Sequence, residues 1–185
     1  MSGQDRDTRE RTGALAHFII SNTNPAELGK TKLFKTMWRA DVLHYRRYGE
    51  TISGLAAYMR MQNGPVPGNI YRALDDLKAR GKILERSVSV GDFVRHEFIP
   101  IEQADPDRFT SREIQSIYRA IEAVRPLTAA QASDMTHDIL WQALENGDDM
   151  SIRAAAVIPG DVTPEDMELV LKHKECFEDE HIEAA

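Results

Sequence analysis

KLFKTMWRADVLHYRRYGETISGLAAYMRMQNGPVP, residues 32–67, decides the fold of this chain. Phe34, Trp38, Asp41, Tyr45 and Tyr48 follow at steps of four, three, four and three, which puts them on one face of a helix. Leu33, Met37 and His44 widen that face. Lys32, Lys35, Arg39 and Arg46 fall on the other side and predict a basic, solvated surface. Gly49 follows the last periodic residue and suits the left-handed conformation that closes a helix. A carboxylate within an apolar stripe is costly unless something donates hydrogen bonds to it. Asp41 therefore needs a partner, and Tyr45, His44, His137 or the start of another helix can supply one. Thr51 to Met61 has no convincing period and reads as an extended or irregular link. Gly64-Pro65-Val66-Pro67 reads as a rigid turn, stiff at its prolines, that either fixes the next helix or presents main chain to a partner.

Working outward, residues 1–11 are polar and charged and are expected to be flexible. Thr12 is the expected cap of a first helix carrying Leu15, Phe18 and Ile19. Asn24-Pro25-Ala26-Glu27 carries helix-start chemistry, with Gly29 placing a short turn before a main helix from about Lys30. A helix is predicted over Asn69–Ala79, with Ile70, Ala73, Leu74 and Leu77 inward and Gly81 as its stop. Alternation over residues 83–99 predicts a β-hairpin turning at Gly91-Asp92. Thr110-Ser111-Arg112-Glu113 is a capping box for a helix with Ile114, Ile117, Tyr118, Ile121 and Val124 on one face. Short helices are expected from Thr128, and from Thr136 with Leu140, Trp141 and Leu144 inward. Thr163-Pro164-Glu165-Asp166 begins a last amphipathic helix carrying Met167, Val170 and Leu171. The expected architecture is mainly α within the α+β class. It is a single compact helical domain over residues 12–174 with one small antiparallel hairpin, followed by an acidic tail, 175–185.

The chain has 185 residues, 42% hydrophobic and 29% charged, which fits one domain with a real core. Lys and Arg number 23 against 30 acids, a net charge of -7. That argues against broad nucleic-acid affinity, which draws on concentrated positive charge. No apolar run approaches a membrane span, and Leu15–Ile20 lacks the build of a signal peptide. The single cysteine, Cys176, cannot form an internal disulfide, so the expected location is the cytoplasm.

Catalytic signals are weak. Ser133 or Thr136 with His137 and Asp41 could be assembled into a hydrolase, but no GxSxG turn exists and Thr136 reads as a cap. His173, Cys176 and His181 fit no closed zinc site, and no glycine motif cradles phosphate, so neither metal nor cofactor is expected. Helix followed by hairpin is the order of a winged helix, in which Arg72, Lys78, Arg80, Lys82 and Arg86 would face DNA. Asp75 and Asp76 oppose that reading.

Lys32-Leu33-Phe34-Lys35, Ala40-Asp41, Tyr45, Tyr48-Gly49, Ile52-Ser53-Gly54 and Gly64-Pro65-Val66-Pro67 resemble the signature of the Panacea domain of SocA-like antitoxins. Ser133-Asp134-Met135-Thr136-His137 and Trp141 match a second motif of that family in the expected order. Thr36 and Trp38 depart from it. The resemblance, over about residues 12–145, implies a non-catalytic antitoxin that neutralises a cognate protein toxin by direct binding or by presenting it to an AAA+ protease. Glu183-Ala184-Ala185 resembles the small-residue tails that such proteases read. The residues expected to meet the partner are Lys32, Lys35, Arg39, Arg46, Gly64, Pro65, Val66 and Pro67, with the hairpin beside them. Asp41, Tyr45, Gly49, His137 and Trp141 are the expected structural motif, with His137 a candidate partner of Asp41. The alternatives are a winged-helix-like DNA-binding regulator and a hydrolase using Asp41 and His137.

Overall fold

A computed structural model describes residues 3–90 and 93–158. The expected Gly91-Asp92 turn, the helix from Thr163, the tail and the group His173, Cys176 and His181 lie outside the described residues. The chain folds as α1 (Gly3–Ser21), α2 (Lys30–Tyr48), β1 (Ala57–Met61), β2 (Gly64–Pro67) and α3 (Ile70–Ala79). It continues through β3 (Ile83–Val90), β4 (Phe93–Pro100), α4 (Ser111–Val124), α5 (Ala129–Asp134), α6 (Ile139–Gln142), β5 (Asp149–Ser151) and α7 (Ile152–Val157). The class is α+β, as the sequence predicts.

α2 is the centre, with α1, α4, α5, α7, β2 and β4 packed around it. Ten of its nineteen residues are buried, Lys32, Lys35 and Asp41 among them, so it is not the amphipathic surface helix its pattern suggested. Gly49 closes it at φ +76°, its N–H donating to Tyr45 O at 2.8 Å. Leu15, Ile19 and Ile20 of α1 and Leu33 and Met37 of α2 are fully enclosed and form the core with Phe98 of β4 and Ile117 of α4.

α1 begins at Gly3, within the segment expected to be flexible, and runs through Thr12. Thr12 is therefore not a cap; it is a buried mid-helix residue whose hydroxyl has no partner among the described residues. Asn24 to Leu28 is a single turn, as Gly29 suggested. α3 keeps its expected inward face, and the α4 capping box forms between Thr110 and Glu113. Thr128 and Gln131 make a second capping box on α5. α6 is capped by Asp138, not Thr136, whose hydroxyl instead donates to Ser133 O at 2.8 Å.

The main departure is a second sheet. Besides the β3–β4 hairpin there is a three-stranded antiparallel sheet in the order β2-β1-β5. Gly64-Pro65-Val66-Pro67 is strand β2, pairing Met61↔Gly64 through Tyr58↔Pro67, and the stretch expected to be irregular contributes β1. Two prolines fit β2 because it is an edge strand, where missing N–H donors cost no ladder bond. β1 shows no hydrophobic period because it alternates only briefly: Tyr58 is buried and Met59 exposed.

Candidate functional site

The Asp41 carboxylate is fully enclosed and accepts four hydrogen bonds from one short segment. Ile52 N and Ser53 N donate to Oδ1 at 2.7 and 3.0 Å. Ser53 Oγ and Tyr58 Oη donate to Oδ2 at 2.5 and 2.7 Å. Tyr58 in turn packs edge-on against Trp38, with ring centroids 5.1 Å apart. Burial raises the Asp41 pKa, opposed by its four donors, and burial beside Asp41 pushes the Tyr58 phenol well up. None of the partners expected from sequence is used. The donors come from the bend after α2 (Ile52 and Ser53) and from β1 (Tyr58), so the acid ties that helix to the start of the sheet.

His137 lies elsewhere. Its ring stacks on Trp141 at 3.8 Å, and Arg60 covers the Trp141 ring from 3.8 Å. Trp141 Nε1 donates to Met61 O at 3.0 Å, so the stack fastens α6 to β1. Ser133 Oγ donates to Asn63 O at 2.8 Å and lies 3.4 Å from His137 Nε2. Asp41 and His137 share no hydrogen bond, because each is satisfied by different segments. The hydroxyl proton of Ser133 is directed at a carbonyl rather than at the imidazole that would have to accept it in nucleophilic catalysis.

Three cations of α2 expected to meet a partner bind carbonyl oxygens of the chain itself, Lys32 and Lys35 buried and Arg46 exposed. Lys32 Nζ donates to Arg125 O at 2.7 Å, at the C-terminus of α4. Arg46 Nε donates to Ala156 O at 3.0 Å, at the C-terminus of α7. Cations at these helix ends satisfy orphan carbonyls and oppose the negative end of the dipole. Lys35 Nζ donates to Pro65 O at 3.0 Å. Burial lowers its pKa from 10.5 to about 7. Arg39 differs: among the described residues its Nη1 reaches only Met135 Sδ, at 3.7 Å, and its buried Nε has no hydrogen-bond partner.

The same contacts explain the GPVP segment. Gly64 sits at φ +91°, and a Cβ there would come within 2.2 Å of Thr136 Oγ1 and 2.8 Å of Lys35 Nζ. Gly64, Pro65 and Pro67 are buried, Val66 partly so, and the Pro65 carbonyl is taken by Lys35. The segment does not offer free main chain as a projecting turn would. Lys35, Val66 and Pro67 do line a groove between α2, the β1–β2 sheet and the start of α3, together with Phe34, Met59, Met61, Tyr71 and His96. Met59 and Tyr71 are exposed by 45% and 57%, so the groove presents large apolar side chains to solvent.

A family model described as "Antitoxin SocA-like, Panacea domain" matches residues 33–142. The chain belongs to that family. No curated protein and no solved structure matches it. The Panacea match holds both halves of the architecture just described: the Asp41 clamp with β1 and β2, and the His137–Trp141 stack that fastens onto them. β5 and α7 lie beyond the matched span, yet Met150 of β5 is fully buried and β5 completes the sheet opposite β2. α1 precedes the Panacea match and supplies much of the core. Missed by sequence reasoning were Ile52, Ser53 and Tyr58 as holders of Asp41, although Ile52 and Ser53 were part of the family resemblance. Met59, Tyr71 and His96 were also missed as groove residues; their only local signal is two large apolar side chains flanking a proline-rich edge.

The arrangement for DNA binding is partly neutralised by its own acids. Lys78 pairs with Asp75 and Glu85 at 2.9 and 3.0 Å, Lys82 with Glu102 at 3.2 Å and Arg86 with Glu97 at 2.8 Å. Arg72 of α3 and Arg80 at its C-cap are exposed. No helix among the described residues is long and apolar enough to cross a membrane.

Proposed function

We propose that this Panacea-domain chain is the antitoxin of a toxin–antitoxin pair and that it grips its cognate protein toxin through the groove lined by Phe34, Met59, Val66, Pro67, Tyr71 and His96. The observation that carries the reading is an exposed apolar cleft on a family member whose buried acid and imidazole are both committed to internal contacts. An exposed tyrosine and methionine around a concave floor is the composition of an interface centre. Val94 is 62% exposed and lies two residues from His96 on the same face of β4, which extends the surface along the hairpin. An interface of the usual ~1,600 Å² would cover the groove and part of the hairpin. Lys32, Lys35, Gly64 and Pro65 then act as scaffold, while Val66 and Pro67 remain candidate contacts.

Neutralisation by covering the toxin, or by presenting it to an AAA+ protease, uses the same surface. Co-purification with the product of the neighbouring reading frame tests the binding. Mixing the purified pair separates the routes, since covering needs no third component. Failure to bind any adjacent gene product would overturn the reading. A DNA-binding role predicts instead a gel shift on the chain's own promoter with steep salt dependence.

A further inference from the structure

Arg39 is the exception among the α2 cations. It lies in a second groove, on the side of α2 facing α5 and α7, with Val42, Leu43, Met135 and Ile139 as the apolar lining. No carboxylate among the described residues forms an ion pair with Arg39, and Arg46 beside it adds a second positive charge. Asp138 also lines the groove, but its Oδ1 is engaged with Trp141 N at 3.0 Å. Such a site calls for an acidic and apolar occupant.

The chain itself carries one. Ile158, the last described residue, is part of the groove wall. Residues 159–185 contain nine Asp and Glu against Lys172 and Lys174, a balance of -7, which equals the net charge of the whole chain. The preceding 158 residues are therefore electrically balanced, and all the surplus acid follows the groove directly. Within 161–171, DVTPEDMELVL, the residues Met167, Val170 and Leu171 fall at helical spacing among Asp161, Glu165, Asp166 and Glu168. A short tether from Ile158 also gives this segment a local concentration on the order of millimolar, which a separate molecule would have to match.

We propose that residues 161–171 fold back over the α2–α5–α7 groove, placing a carboxylate on Arg39 and Met167, Val170 and Leu171 against Val42, Leu43 and Met135. The inference is independent of the toxin-binding groove, which lies at β1–β2 and α3.

Hydrogen exchange on the full chain tests it. Amides of 165–171 should exchange at least tenfold more slowly than in the isolated peptide. Arg39→Gln should remove most of that protection while α2 core amides keep theirs. A second variant, with Asp161→Asn, Glu165→Gln, Asp166→Asn and Glu168→Gln together, should do the same and alters no described residue. A cysteine pair, Leu43→Cys with Leu171→Cys in a Cys176→Ser background, should close within one chain on mild oxidation. Replacing Leu43→Cys by Tyr118→Cys, on exposed α4 surface, should not close. Peptide-like exchange in the wild type, protection insensitive to both charge variants, or a disulfide only between two chains would each overturn the proposal; the last would make the occupant a second copy.

Discussion

Replacing Lys35 with methionine should flatten a rise in stability at alkaline pH. The Lys35 amine is buried, donates to Pro65 O, and forms no ion pair among the described residues. Its pKa is lowered to about 7 by burial, against 10.5 in the unfolded chain. Between those values the unfolded chain holds a proton that the folded chain has given up. Stability therefore rises with pH through that window, by at most ~1.4 kcal/mol per unit. Below about pH 7 both states hold the proton, the slope vanishes, and the cost of burying the charge is fully present. From pH 7.5 to 9.5 the wild type should gain about 2–3 kcal/mol on Lys35→Met. Groups common to both proteins, Tyr58 included, cancel in that difference. With a urea slope of about 2 kcal/mol per molar, the gain is a relative midpoint shift of about 1 M. Urea titrations of both proteins at three pH values would measure it. Parallel pH dependences in the two proteins would refute the reasoning, because they would mean the amine is solvated and charged in the fold.

Gly64→Ala should cost at least about 3 kcal/mol in urea denaturation, since φ +91° disfavours a side chain and the new methyl would collide with Thr136 and Lys35. Asp41→Ala should cost about 3–5 kcal/mol by leaving buried donors of Ile52, Ser53 and Tyr58 unpaired. Asp41→Asn should cost clearly less, because its Oδ1 can keep both backbone N–H bonds while the two hydroxyls turn to accept from Nδ2; equal costs would contradict the clamp. Tyr71→Ala should weaken toxin binding about tenfold or more, read by calorimetry, while the melting temperature moves only slightly because that ring is largely exposed.

What the sequence determined by itself is what neighbours along the chain decide. The α4 and α5 caps involve residues three apart, the inward face of α3 is set by helical period, and the β3–β4 hairpin follows from alternation. The need of Asp41 for buried donors was also legible, because an acid inside an aromatic stripe has no other stable arrangement. Tertiary structure decided which groups answered it, from eleven to seventeen residues downstream. It also decided that β1 lies between β2 and a strand some ninety residues later, a pairing that leaves no local period to read. Above all it decided the fate of the α2 cations. Periodicity reports that a helix has an unlike face, but not whether water or the carbonyl ends of other helices stand opposite, and here neighbouring elements close around the helix and take up three of the four charges.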